Sequence, residues 1–117
     1  MEFFNRSGEA VCYVQDGEHL YLWNGKPVGY IDSGRVFSFR GRVLGWMDNG
    51  WLYDRSNRPA LFADGATGGP VKPARKVKPV KGVRGVRPVK GVRQVVHVRA
   101  VKSNSWSSYS DATYFSQ

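Results

Sequence analysis

Residues 20–34, "LYLWNGKPVGYIDSG", and 36–50, "VFSFRGRVLGWMDNG", carry one pattern twice without a gap. Each opens with a short run rich in aromatic and β-branched side chains, breaks at a glycine, and resumes with a second apolar run ending in Asp-Ser-Gly or Asp-Asn-Gly. Outward from this pair, "FFNRSGEAVCYVQDG" (3–17) and "LYDRSNRPALFADGA" (52–66) fit the same frame. The starts at 3, 20, 36 and 52 therefore recur every sixteen or seventeen residues. A unit this short cannot bury its apolar face alone, so the copies must pack on one another.

Two apolar runs of strand length on either side of a tight turn make a β-hairpin. The turns fall at Ser7-Gly8, Asn24-Gly25, Arg40-Gly41 and Ser56-Asn57. Two-residue hairpin loops need positive φ, which glycine adopts freely and asparagine tolerates, so Gly8, Gly25, Gly41 and Asn57 are the predicted turn residues. One hairpin is marginal in water, whereas four can bury their faces around a pseudo-four-fold axis. Tyr13, Tyr30, Trp46 and Phe62 align across the units and are expected to form one core aromatic ring around that axis. Val14, Ile31, Met47 and Ala63 alternate to the other face. Gly29 and Gly45 precede the aromatic in the middle units, where the outer ones have Cys12 and Leu61, and they predict a close backbone approach or a bulge. The fold class is all-β, with residues 1–69 as the four-hairpin domain.

The two middle units resemble the repeat of the four-fold β-flower proteins, small bacterial proteins whose hairpins open like petals from a shallow barrel. The resemblance covers roughly residues 1–66, and the fourth unit departs from it at Asn57 and at Leu61-Phe62. It implies the barrel but no established activity. The barrel is similar in shape to tubby-like phospholipid-binding domains, which implies lipid binding by analogy of shape alone.

Residues 70–102 follow another rule. Val occupies every third position from 77 to 101, and Lys or Arg follows it at 78, 81, 84, 87, 90, 93, 99 and 102. Extended back to Val71, the second slot adds Lys72 and Arg75, and the third slot holds Pro73, Pro79, Gly82, Gly85, Pro88 and Gly91 among others. A period of three suits neither α-helix nor strand, and the prolines and length exclude a 3₁₀-helix. A polyproline II-like tail is expected over 70–93, with a strand competing from Gln94 onward. Straight, thirty-three residues would reach roughly 100 Å, far beyond a small domain, so the tail folds back, protrudes, or meets other subunits. The plain reading packs Val on the body and leaves the cations in solvent. Residues 103–117, Ser-rich with Trp106, Tyr109, Tyr114 and Phe115, are expected to add a closing strand or an aromatic cap.

Charge is segregated. Of the chain's eighteen Lys and Arg, eleven lie in 70–102 with no acid among them, against seven cations and eight acids in 1–69. Cys12 is the only cysteine, which excludes an internal disulfide. The start lacks the pattern of a signal peptide, and a cytoplasmic protein, peripheral at the membrane, is expected. With His19 and His97 the only histidines, no metal-ligand spacing exists. The Ser and Asp residues sit at turns, so Asp32 and Asp48 are expected to accept backbone N–H bonds there. A non-enzymatic module follows, with no catalytic residue, metal, cofactor or small-molecule substrate implied.

Three partners fit the basic tail. An anionic lipid surface leads, with Lys72, Arg75, Lys78, Lys81, Arg84, Arg87, Lys90 and Arg93 as the contacting stripe and neighbouring Val inserting shallowly. A homo-oligomer or other assembly would use the Val stripe as a packing or subunit contact. Non-specific nucleic-acid binding comes third, because the tail lacks interleaved aromatics on which bases stack.

Overall fold

Each repeat folds as one antiparallel hairpin. The computed structural model describes all 117 residues. The strands are β1 (Glu2–Phe4), β2 (Ala10–Val14), β3 (His19–Leu22), β4 (Pro27–Asp32), β5 (Arg35–Phe37), β6 (Val43–Asp48), β7 (Trp51–Tyr53) and β8 (Pro59–Ala63). They pair in sequence order, and β1 also pairs with β8, so the sheet closes into an eight-stranded barrel with no free edge. A closed sheet satisfies the ladder of every strand on both sides, which an open four-hairpin sheet could not do.

The register slips at one equivalent place in every repeat, between Phe3 and Phe4, Leu20 and Tyr21, Val36 and Phe37, and Leu52 and Tyr53. A bulge bends its strand and re-aims the side chains beyond it, which is how the hairpins open outward as petals. Opposite the bulge stand Cys12, Gly29, Gly45 and Leu61, so the bulge does not itself demand glycine. At Gly45 close approach does: a Cβ there would lie 1.8 Å from the Tyr53 carbonyl oxygen.

The petal turns differ from the expected two-residue loops. The amides of Gly8, Gly25, Gly41 and Asn57 donate to the carbonyls three residues back, and only these residues of the turns have positive φ, between 60° and 93°. This is a type I turn closed by one left-handed residue, which explains why Ser7, Arg40 and Ser56 are tolerated before it. The two-residue turns with both φ positive lie instead between petals, at Ser33-Gly34 and Asn49-Gly50. The side chains of Asn5 and Asp54 reinforce their petal turns, each Oδ1 accepting two backbone N–H bonds of 2.8–3.0 Å.

Inside the barrel, Phe3, Leu20, Val36 and Leu52 from the odd-numbered strands meet Cys12, Leu44, Leu61, Val14, Ile31 and Ala63 from the even ones. Tyr114, on a 3₁₀ turn at Ala112–Ser116, enters this core fully buried, and its hydroxyl donates to the Tyr53 carbonyl at 2.9 Å. The C-terminal segment is thus an aromatic plug, not a closing strand. The expected ring of Tyr13, Tyr30, Trp46 and Phe62 does not form in this core. Strand alternation turns these side chains to the outer face, where three of them lie in separate clusters with aromatics of the neighbouring strand: Tyr13 with Tyr21, Tyr30 with Phe37, and Phe62 with Phe4 and Tyr53. What covers that outer face is the tail.

Candidate binding surface: a basic strap and a valine girdle

The molecule measures 36 × 36 × 21 Å, and residues 71–102 run round it without helix or strand. Their anchors recur every nine residues. The amides of Lys76, Gly85, Gln94 and Ser103 donate to the carbonyls of Gly8, Gly25, Gly41 and Asn57, one petal turn each, at 2.8–3.2 Å. Gly82 and Gly91 add equivalent bonds to Trp23 and Phe39. At about 3.1 Å per residue, nine residues cover about 28 Å, which is a quarter of the perimeter of a disc 36 Å across. The strap therefore gives one nine-residue block to each petal, folding back where a straight tail would protrude. The strand that competes from Gln94 does not form: between Gln94 and Ser103 only those two amides have backbone acceptors, both in petal turns, so no ladder runs along this stretch.

The turn residues are fitted to this contact. A Cβ on Gly25 would fall 2.0 Å from the Val83 carbonyl oxygen, and one on Gly41 equally close to that of Val92. At the fourth petal Asn57 replaces glycine and uses its side chain, donating through Nδ2 to the Ala100 carbonyl at 2.6 Å and accepting from Arg99 Nε at 3.0 Å. The departure of the fourth repeat at Asn57 is thereby accounted for.

The cations face inward. Arg75, Arg84, Arg93 and Lys102, nine residues apart, lie over Phe4, Tyr21, Phe37 and Tyr53 at 4.7–5.9 Å from the ring centres. Lys81, Lys90 and Arg99 lie over Tyr13, Tyr30 and Trp46 at 4.3–5.2 Å. At Phe62 the place is taken by Trp106, which packs on both Phe62 and Trp51, while Lys72 Nζ donates to the Ala66 carbonyl at 2.7 Å. Each cation–π contact contributes about 0.5–1 kcal/mol at a half-exposed site.

The same side chains reach carboxylates of the barrel. Lys78 and Lys81 pair with Glu2, Arg87 with Asp16, Lys90 with Glu18, Arg93 with Asp32, Arg99 and Lys102 with Asp48, and Arg75 with Asp64, at 2.5–3.5 Å. Asp32 and Asp48 thus hold the strap instead of capping a turn. The Arg93 guanidinium holds the Asp32 carboxyl below its usual range and is itself raised by that partner, and Lys102 holds Asp48 down in the same way. Asp16 is also depressed: burial acts against its charge, but hydrogen bonds from His19 and from the Glu18 amide outweigh it. Of the eight cations expected to form an anion-binding stripe, six are paired with barrel acids, and Lys72 and Arg84 are turned to Ala66 and Tyr21.

With the cations turned in, the valines are turned out. Val71, Val77, Val80, Val83, Val86, Val89, Val92, Val95, Val98 and Val101 are all 92–97% exposed and make an apolar girdle around the disc. This inverts the plain reading of the tail. The strap extends the flower from the repeats to nearly the whole chain, and the family model for "4-fold beta flower protein" matches residues 1–115. The chain belongs to the four-fold β-flower family. No curated protein and no solved structure shows significant similarity to it.

In this β-flower protein the strap has a sequence signal of its own. Read in nines from Val71, it runs "VKPARKVKP", "VKGVRGVRP", "VKGVRQVVH" and "VRAVKSNSW". The period of three hides this longer period, which matches four petals. Inward turning of the cations also leaves the barrel's own unpaired. All seven cations of residues 1–69 lack an acidic partner, and six of them, Arg6, Lys26, Arg40, Arg42, Arg55 and Arg58, sit in the petal turns beside the strap. No helix is long and apolar enough to cross a membrane. Cys12 lies in the core, its thiol pushed far up by burial, and offers no nucleophile.

Proposed function

We propose that this β-flower protein is a non-enzymatic module that associates peripherally with anionic lipid surfaces, using the valine girdle and the petal-turn cations together. The observation that carries this reading is the exposure of ten valines on one continuous edge. An apolar stripe this long on a soluble surface marks a contact. Valines between cationic turns suit the bilayer interface, where methyl groups insert shallowly and each nearby Lys or Arg gains about 1 kcal/mol from anionic headgroups. The strap's own cations hold the girdle in place, and the turns supply the charge that meets the lipid.

Co-flotation of the full chain with neutral and anionic vesicles at two salt concentrations tests this. Salt-sensitive flotation on anionic vesicles is expected, with a marked loss when Val83, Val86 and Val89 are all changed to Ser. Flotation equal to the parent in that variant, or none with any vesicle, would sink the lipid reading.

A second reading rests on the repetition of one nine-residue edge around the disc, which would let copies pack side by side through their girdles. Sedimentation without lipid separates the two: a monomer at high concentration removes self-assembly, and concentration-dependent growth abolished by the same valine changes favours it.

A further inference from the structure

The C-terminal plug fills the flower unevenly. It leaves the strap at Ser103 beside petal four, pins Ser107 Oγ to Asp54 at 2.5 Å and Ser110 Oγ to the Ala60 carbonyl at 2.6 Å, then drops Tyr114 into the core. Gln117 finishes against petals three and four, its side chain donating to the Leu44 carbonyl at 2.7 Å and accepting from the Arg55 amide at 3.0 Å. The quadrant between petals two and three stays open. There an open cleft of about 960 Å³ lies between the second petal, the third petal, strap residues 88–91 and the plug.

Its lining combines two chemistries. Leu22, Val28 and Phe115 are only partly buried against the core, so the cleft floor is apolar surface that the plug leaves uncovered. Lys26, Arg40 and Arg42 stand round it, and no acidic side chain lines it. The Lys26 ammonium and the Arg40 guanidinium have no side-chain partner, while Arg42 Nε donates to a main-chain oxygen of Gln117, which also lines the cleft. Most strap cations meet barrel carboxylates, whereas the barrel's own seven do not, and three of those seven gather at this cleft with no acidic side chain among them.

We infer that the cleft between petals two and three is a binding site for a phosphate monoester on a short apolar chain, the phosphate held by Lys26, Arg40 and Arg42 and the chain laid over Leu22, Val28 and Phe115. Guanidinium groups match phosphate oxygens in pairs and the ammonium adds a point charge, while a concave apolar floor with a few polar groups at its rim is the usual form of a small-ligand site. The site rests on the anionic-surface reading only in the sign of its ligand, and it takes one molecule where the girdle meets a surface.

Titration calorimetry on the full chain with hexyl phosphate, hexanol and inorganic phosphate tests it without vesicles. Saturable one-to-one binding of hexyl phosphate is expected, at least tenfold tighter than hexanol and lost by tenfold or more in Arg40→Ser/Arg42→Ser. Arg58→Ser, in the fourth petal turn, should leave it unchanged. Both arginines are exposed on a turn whose Gly41 is kept, so an unchanged melting temperature verifies the fold. Binding of inorganic phosphate as tightly as hexyl phosphate supports the phosphate site and assigns it a free anion. Hexanol binding equal to hexyl phosphate, no binding of either phosphate, or full binding by the double variant overturns the site. Flotation that persists after such a failure would leave the lipid reading standing.

Discussion

Barrel and strap obey opposite rules with the same side chains. In the barrel, Leu20, Val36 and Leu52 are buried, and every carboxylate that meets the strap lies on the outer face. In the strap, ten valines point to solvent and most of the Lys and Arg side chains lie half-exposed against the barrel's outer face. The difference follows from what each region packs against. The barrel interior offers no carboxylate to a cation, being mostly aliphatic and aromatic carbon, whereas its outer face offers aromatic faces flanked by Glu2, Asp16, Asp32, Asp48 and Asp64. A long cationic side chain can lay its stem on a ring and reach a carboxylate beyond it, which valine cannot do. The barrel is consequently held by burial and a closed ladder, and the strap by charge and a single backbone anchor per triplet or fewer.

This contrast can be broken at several strengths. Leu52→Ala removes a fully buried core side chain and should cost about 2–5 kcal/mol, unfolding barrel and strap together in one denaturant transition. Gly41→Ala should cost less, about 1–3 kcal/mol, since it strains a residue at φ 90° and drives a Cβ into the strap. Its effect should be local: hydrogen exchange would speed up at Gly91 and Gln94 while Leu20 and Leu52 stay protected. If exchange rose evenly over the barrel, the strap would be no separate unit.

Acid should sharpen the distinction without mutation. Glu2, Asp32 and Asp48 all have carboxyls lowered by strap cations, Glu2 through Lys78 and then Lys81. A carboxyl lowered on folding adds stability that is complete above its unfolded value, about 4, and is lost as pH falls below it through the folded value. Trypsin, assayed after brief acid exposure and rapid return to neutral pH, is too slow a readout, so strap release is best followed by amide exchange between pH 5 and pH 2. Release should come at higher pH in 1 M salt, where surface pairs are screened. Smallest of all, Arg87→Ala alone should change stability by no more than about 0.5 kcal/mol, because its pair with Asp16 is half-exposed. A large loss from that one change would mean that the strap's charges act singly and not as a distributed set.

The petals were legible in the sequence because a hairpin is a local object: its two runs, its turn residue and its alternation lie within sixteen residues. Gly8, Gly25, Gly41 and Asn57 stand out through the need for positive φ, although their loops have three residues and not two. Local pattern could not say which face of β2 or β4 looks at the axis, since both faces carry large apolar groups. The alignment alone points Tyr13 and Tyr30 at the axis, whereas Cys12, Val14 and Ile31 occupy the core. The strap was harder still. Its period showed that Val and cations separate onto different faces, but choosing the docked face needs the partner surface, which is assembled from eight strands. Only the nine-residue period, hidden under the shorter one, pointed to four equivalent berths. The cleft of Lys26, Arg40 and Arg42 left no linear trace, because its lining is drawn from two petals, the strap and the C-terminal segment.

One consequence of the nine-residue step concerns length. The strap is a ruler whose graduations are petals: inserting three residues at Gly85 would keep Val outward and cations inward, yet every downstream mark would miss its petal by a third of the spacing. Inserting nine would restore the marks only if a fifth petal stood there to receive them. The symmetry number of the flower is thus written twice in the chain, once in its hairpins and once in the tape wound around them, and neither copy can change without the other.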